Sequence, residues 1–305
     1  MRFRACVENV PTFCKIMQVI DRLQKKCIIQ FKPDVMRIIC LSDANEAGIQ
    51  VWSEIKVSTL FNEYRIQSNA DNIISMNIAS ASLLHALQGI QNALATSGTG
   101  SGLGGEEVLM KLAKKNDQAL LNFALTTPTR TGRLQSLTYD VRIEVLRALD
   151  MTKINEPLCP DADTLVLLPS LPTLRSPVER LRALSSTLFV RANIGPPTKL
   201  LLEVTGDENE VKVKVEFGVK YVQINRQEEE DAEAPGKDKE RLYSVPIVAK
   251  SFVKFLNCHI VNGHVIAAIC HRHCLILYFY IGSAGADAGG VLTFYIPSLV
   301  DDGPM

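Results

Sequence analysis

The amino-acid sequence predicts an α+β chain of two similar domains, each an antiparallel sheet backed by two helices. Three observations carry that expectation. The same order of strand, helix, strands, helix and strands occurs twice along the 305 residues. A segment without periodicity, 147–163, punctuated by Pro157 and Pro160, falls at the midpoint and reads as an extended connector. Four amphipathic stretches carry nine Lys or Arg against two Asp or Glu, in a chain whose totals balance at 33 of each sign. Domains are therefore expected at 1–146 and 164–305, joined by 147–163.

Residues 2–7 alternate as a strand does, and the stretch Asn9 to Lys26 follows with helical spacing. Phe13, Ile16, Met17, Ile20 and Leu23 recur at steps of three and four and give one dry face. Lys15, Gln18, Arg22, Lys25 and Lys26 occupy the other, with Asp21 as the only acid. Strands are predicted at 27–31, 35–41 and 49–55, with more strand within 61–78, separated by the turn residues Asp34 and Ser42-Asp43-Ala44-Asn45. A second helix is predicted over 80–93, with Leu83, Leu84, Leu87 and Ile90 inward and His85, Gln88 and Asn92 outward. Its polar side carries no charge. After the flexible composition of 96–105 come strands at 108–114, 118–126 and 134–146.

The second half opens with a strand at 164–168. A helix over 173–184 follows, turning Leu174, Val178, Leu181 and Leu184 inward and Arg175, Glu179 and Arg182 outward. Strands are expected at 187–192, 199–204 and 211–222. The alternation from Val211 to Phe217 reads as a half-exposed strand, or as a sheet edge whose lysines restrict pairing to one partner. The segment 226–241 holds seven acids and four bases and reads as an excursion between strands. Beyond it come a strand at 243–248 and a helix over 250–258, with Phe252, Phe255 and Leu256 inward and Lys250, Lys254 and Asn257 outward. A closing pair of strands ends the half.

Composition excludes several classes. At 47% hydrophobic and 22% charged the chain is globular, and its formal net charge of zero excludes a histone-like binder. The N-terminus lacks a secretory signal, and runs such as Cys274 to Ile281 are too short to span a bilayer, so a soluble intracellular chain is expected. The eight cysteines are scattered in apolar runs, as reduced core thiols are, and no disulfide framework is expected.

Two motifs offer chemistry. Gly100-Ser101-Gly102-Leu103-Gly104-Gly105 satisfies G-x-G-x-x-G, and a phosphate-binding enzyme built on the loop Gly98 to Gly105 is the alternative it suggests. A dinucleotide site needs a strand before the glycines and a helix after them, whereas here the predicted order is reversed. Cys258, His259, His264 and Cys270-His271-Arg272-His273-Cys274 gather thiols and imidazoles, but their spacing is not a usual zinc spacing. They read better as a hairpin whose turn is His271-Arg272-His273, between strands at 265–269 and 275–280. No metal, cofactor or catalytic constellation is expected. The basic helix faces suit the phosphate backbone of a polyanion, and no helix start carries the residues that read bases.

Several passages resemble a known family. Met1-Arg2-Phe3-Arg4-Ala5, Trp52-x-Glu54 with Phe61-Asn62-Glu63-Tyr64 six residues later, and Phe294-Tyr295-Ile296-Pro297-Ser298-Leu299 are similar to the hydroxyurea-sensitivity subunit of the nine-one-one checkpoint clamp. The passage from Tyr139-Asp140-Val141 through Pro157 and Pro160-Asp161 to Leu168-Pro169 is similar as well. The resemblance implies the sliding-clamp fold of proliferating cell nuclear antigen, with two helices per domain on the inner wall of a ring. It implies a nuclear, non-catalytic subunit of a heterotrimer with two radiation-sensitivity paralogues, loaded on damaged DNA by a replication factor C-like loader, signalling to a checkpoint kinase and recruiting repair enzymes. A homotrimeric replication processivity clamp is the rival within the fold.

Residue by residue, Lys25, Arg175 and Lys250 with its neighbour Ser251 match the family's inner-wall basic positions, and Gln88 stands where the family can have Lys. The expected DNA-facing set is Lys15, Arg22, Lys25, Lys26, Arg175, Arg182, Lys250 and Lys254. Met151, Ile154 and Leu158 of the connector are candidates for a groove that docks partner peptides, as in related clamps.

Overall fold

Nine strands and two long helices occur in the same order in each half of the computed structural model, which describes residues 1–42, 48–96, 107–128, 134–206, 211–222, 241–282 and 288–299. The chain divides into two compact units, residues 1–41 with 52–156 and residues 42–51 with 157–305.

Unit 1 contains β1 (Arg2–Val7), α1 (Val10–Leu23), β2 (Lys26–Phe31), β3 (Val35–Cys40), β4 (Gln50–Lys56), the single turn α2 (Val57–Leu60), β5 (Phe61–Gln67) and β6 (Ile74–Ala79). It continues with α3 (Ser80–Thr96), β7 (Val108–Lys115), β8 (Gln118–Pro128), β9 (Leu134–Leu146) and the single turn α4 (Ala148–Met151). Its strands run in the order β4-β3-β2-β6-β9-β8-β7-β1-β5. The joint is β9: residues 134–142 pair with β8, and residues 143–146 pair with β6.

Unit 2 contains β10 (Thr164–Leu167), α5 (Leu171–Leu184), β11 (Thr187–Ala192), β12 (Lys199–Thr205), β13 (Lys212–Gly218), β14 (Lys220–Tyr221) and β15 (Tyr243–Val248). Then come α6 (Ala249–Leu256), the 3-10 turn Asn257–Ile260, β16 (Gly263–Cys270), β17 (Cys274–Ile281) and β18 (Gly290–Pro297). Its two sheets, β13-β12-β11-β15 and β14-β10-β16-β17-β18, repeat the order of unit 1 with one cut. At the cut, β18 is eight residues against the 13 of β9, and just past its end Leu299 N–H donates to Pro246 O of β15 at 2.8 Å.

Each helix pair buries the stripe the sequence marks. Phe13, Ile16, Met17, Ile20 and Leu23 of α1 are buried, as are Leu83, Leu84, Leu87 and Ile90 of α3, and the two helices pack on each other. In unit 2, α5 and α6 pack together through Leu174, Val178, Leu181, Phe252, Phe255 and Leu256. Several residues that carry the family resemblance are core rings. Phe3 stacks on Phe31 at 4.4 Å between centroids, Phe61 meets Phe13 edge-on at 5.8 Å, and Phe294 meets Phe255 at 5.0 Å. The thiols are free, and most are buried. Burial, with the Asp21 carboxylate beside it, pushes the Cys27 thiol up to about 12, which leaves it protonated and inert.

Four elements differ from the sequence reading. Residues 211–222 form two strands: Val219 breaks the run and donates its N–H to Thr198 O at 3.0 Å, so β13 and β14 serve different sheets. The closing pair of strands is a set of three, because Gly290–Pro297 adds β18 with strict burial alternation. The last helix stops at Leu256 and tightens into the 3-10 turn. Leu184, expected inward, is 48% exposed as the last residue of α5.

The handover between strand and helix in unit 1 is fastened by one buried side chain. Ser80 opens α3 opposite the end of α1, its hydroxyl 2.7 Å from Gln24 O and 2.8 Å from Asp21 Oδ1, while its N–H donates to Lys25 O at 3.0 Å. In unit 2 the backbone bond alone is kept, from Ala249 N–H to Ser186 O at 2.8 Å. Ser80→Ala should lower unfolding stability by about 1–3 kcal/mol, because the part-buried Gln24 O loses its donor, and the loss should appear as a lower urea midpoint at unchanged m. A Cβ on Gly263 would lie 2.2 Å from Tyr280 O and 2.7 Å from the Phe279 ring. Gly263→Ala should therefore cost about 1–3 kcal/mol by overpacking a hairpin whose backbone cannot move aside, measured in the same denaturation experiment.

Candidate nucleic-acid interface

The candidate residues lie on the outward faces of α1 and α3 in unit 1 and of α5 and α6 in unit 2. Asn9 caps α1, its Oδ1 accepting from Thr12 N–H at 3.1 Å, and Pro11 lies in the first turn, where no N–H is required. The helix ends at Leu23. Gln24 is extended, and its N–H donates to Ile20 O at 2.9 Å. The predicted stripe to Lys26 is thereby shortened. Lys25 lies in the bend, and Lys26 is the first residue of β2, opposite Ala79. The physical reason is the strand-forming run that follows, Cys27-Ile28-Ile29, whose ladder with β6 claims the chain from Lys26 onward. Lys15, Arg22, Lys25 and Lys26 are all exposed. Asp21, the one acid of α1, is half-buried and engaged with Ser80.

The other helices contribute unequally. Along α3 there is no charged residue, with His85 and Asn92 exposed and Gln88 half-buried. On α5, Arg182 is exposed, but Arg175 is half-buried and already occupied. Its Nε donates to Glu179 Oε1 at 2.8 Å, and its Nη1 lies 3.4 Å from His259 Nε2. Since His259 Nδ1 is 2.9 Å from Leu256 O, it is the donor there, which leaves Nε2 to accept from Arg175. Arg180, outside the expected set, is exposed as well. Its signal in the sequence was simply its charge on the same helix as Arg182. On α6, Lys250 is exposed, Lys254 is half-buried and Ser251 is buried. Within the observed helix bounds α1, α3, α5 and α6 hold seven Lys or Arg against Asp21 and Glu179.

The connector residues differ in exposure. Met151 closes α4 and is half-buried, as is Ile154, while Leu158 is fully exposed. Just beyond it, Cys159 and Ala162 pack against Ala268, Cys270, Cys274 and Ile276.

The two chemical motifs fare differently. The glycine run at 100–105 lies outside the described residues, but the elements around it are α3 before and β7 after, the reverse of the strand-to-helix order that a dinucleotide site uses. Of 226–241 only Arg241 is described. The thiol and imidazole run is a hairpin: β16 and β17 pair through Cys270 opposite Cys274, and residues 271–273 turn. His271 N–H donates to Asp163 Oδ2 at 2.7 Å. Among the described residues no three His, Cys, Asp or Glu side chains are arranged to hold a metal ion.

Comparison with known proteins agrees with this architecture. The structure matches proliferating cellular nuclear antigen from Entamoeba histolytica with a TM-score of 0.68 over 98% of this chain and 99% of that one, at 13% identity. That likeness gives the sliding-clamp fold. In sequence, the chain is 28% identical to the checkpoint protein hus1 of Schizosaccharomyces pombe, over 99% of this chain and 100% of the relative. It is 26% identical to the checkpoint protein hus1 homolog of Dictyostelium discoideum, over 98% and 99%. The human checkpoint protein HUS1 matches at 28% over 67% of this chain and 70% of its own. The model of the Hus1-like protein family spans residues 1–300, and with the clamp topology already described, this chain belongs to that family.

Proposed function

We propose that this chain is a non-catalytic subunit of a heterotrimeric checkpoint clamp that encircles double-stranded DNA at damage sites in the nucleus. The observation that carries this reading is the segregation of charge. A chain with a net charge of zero puts seven Lys or Arg and only two acids on its long helices. Fixed cations near phosphates release counterions and attract DNA without reading its sequence. Retention would come from the closed ring, and the helices need supply only weak contacts to the backbone. Lys15, Arg22, Lys25, Lys26, Arg182 and Lys250 are the exposed candidates, and Arg175 and Lys254 are the half-buried ones.

The ring would be completed by two paralogous clamp subunits. β13 suits one of those contacts, since it ends its sheet and alternates half-buried Val213, Val215 and Phe217 with exposed Lys212, Lys214 and Glu216. A strand edge of this kind accepts a matching strand and discourages others by charge. A replication factor C-like loader would open and close the ring, and repair enzymes would dock on it, with Met151, Ile154 and Leu158 as the groove candidates.

Native mass spectrometry of the purified chain, alone and mixed with the two paralogues, separates this reading from a homotrimeric processivity clamp. A mixed species with one copy of each subunit is expected. A trimer formed by the chain alone would overturn the heterotrimer. Reversing the charge at Arg22, Lys25, Arg175 and Lys250 together should leave ring assembly intact and weaken DNA stimulation of loading. The slope of log affinity against log salt should fall by about 0.9 for each phosphate contact removed. Because Arg175 is already paired with Glu179, reversing it alone should change that slope less than reversing Lys250.

A further inference from the structure

The sheet of unit 1 has a charged row that the DNA-facing helices leave unexplained. Arg4 of β1 stands directly opposite Arg65 of β5 on one side and Lys111 of β7 on the other. All three are exposed, as is Arg2 two residues earlier on the same side of the strand. They occupy the face away from α1: Phe3 and Ala5 point to the other side and are buried, and α1 meets that side where Phe13 touches Phe61. Like charges directly opposite in adjacent strands destabilise a sheet. Three cations in one row therefore cost stability, and among the described residues none of the three is in an ion pair. Among the described residues the ion pairs around β7 belong to Lys114 with Asp117 at 2.6 Å and Lys115 with Asp140 at 3.8 Å, and none involves Arg2, Arg4, Arg65 or Lys111.

The internal repeat supplies a control. In unit 2 the corresponding row runs Leu165, Ala268, Ile276 and Tyr295 across β10, β16, β17 and β18, and it is apolar. Cys159 and Ala162 pack on that patch. One fold thus presents the same face twice, once apolar and covered by its own chain, once basic and exposed.

We propose that the row Arg65, Arg4 and Lys111, together with Arg2, is a docking surface for an extended acidic peptide of a partner protein. Its dimensions suit that occupant. Neighbouring strands are about 4.8 Å apart, so the row spans roughly 10 Å, and Arg2 to Arg4 is about 7 Å, the repeat of same-side residues in an extended chain. Two or three carboxylates on alternate residues of a peptide would each meet a cation. A nucleic acid fits less well. The described residues of this face present no aromatic ring for base stacking. Acids also bound the patch: Glu63 and Glu107 stand beside Cys6, where they add to the effect of burial in raising its thiol, and Asp140 lies past Asn122 in the same row. A continuous phosphate chain would run over them, whereas a short peptide would not.

The test titrates a fluorescent oligoglutamate peptide with the full chain, at low and at physiological salt, and competes it with single-stranded oligothymidylate. The variant R4Q/R65Q/K111Q should bind the peptide about tenfold more weakly, with a melting temperature at or above that of the parent. A variant of two exposed lysines elsewhere, K153Q/K220Q, should bind as the parent does, and R4E/R65E/K111E should bind oligolysine in place of oligoglutamate. Unchanged peptide binding in the glutamine triple variant, or an equal loss in K153Q/K220Q, would overturn the proposal. So would tighter binding of oligothymidylate that the triple variant abolishes, since the row would then be a nucleic-acid surface. A lower melting temperature in the triple variant would assign these cations to the fold and equally remove the docking role.

Discussion

Much of this structure depends on the junction where paired strands hand the chain over to paired helices. In unit 1, β2 and β6 pair from Lys26 opposite Ala79; the chain leaves α1 at Leu23, three residues before that pair, and enters α3 at Ser80, one residue after it. The two helices therefore start and stop side by side, and their apolar stripes close on each other at no cost in loop entropy beyond the strand pairing itself. Unit 2 repeats the arrangement from Thr187 opposite Val248. Because the dry face of each helix is fixed by this junction, the direction of its polar face is fixed as well. The basic side chains have no freedom to choose another orientation.

The two units use that junction with different strengths. In unit 1 a buried hydroxyl adds side-chain bonds to the backbone bond, and the long strand β9 welds both parts of the sheet into one. In unit 2 Ala249, in the place of Ser80, keeps the backbone bond and has no hydroxyl to add, and β15 and β18 remain in separate sheets. Both units also pack aromatic rings, Phe3, Phe13, Phe31, Phe61 and Tyr64 in the first and three phenylalanines in the second. Phe252, Phe255 and Phe294 fill the helix-to-sheet layer of unit 2, and Phe255 approaches Phe294 edge-on. Similar topology is thus held in both halves by ring packing, with the Ser80 hydroxyl and the long strand β9 added in unit 1.

Periodicity made the helices legible, because Phe13, Ile16, Met17 and Ile20 or Leu174, Val178 and Leu181 can satisfy their spacing only on one face of a helix. Strand existence was legible for the same reason, while strand ends were not. Lys26 reads as helix by charge pattern and is strand because β6 supplies the partner, a contact across fifty residues that no local window contains. Val219 reads as strand interior and is a break, because two sheets compete for the residues on either side of it. The candidate site was legible as charge and illegible as availability. Glu179 lies within helical reach of both Arg175 and Arg182, so spacing alone does not tell which arginine it holds; the structure pairs it with Arg175, which His259 also approaches, and leaves Arg182 facing solvent. Arg175 to Glu179 is a helical i,i+4 step that the sequence does show, but the approach of His259 comes from the turn after α6 and is tertiary.

On the proposed reading, in which the chain is part of a ring held on DNA by topology, the partial occupation of Arg175 by Glu179 has a mechanical sense. A ring that cannot fall off gains nothing from tight phosphate contacts, and each strong contact would have to break before the ring could move by one base pair. Cations that are few, spread over separate helices and in one case shared with a carboxylate give an attraction that averages along the duplex. The uncharged α3 fits the same logic. Its outward His85, Gln88 and Asn92 can hydrogen-bond to water or phosphate without adding fixed charge. A wall built for retention would therefore tolerate weak binding residues where a sequence-reading protein could not.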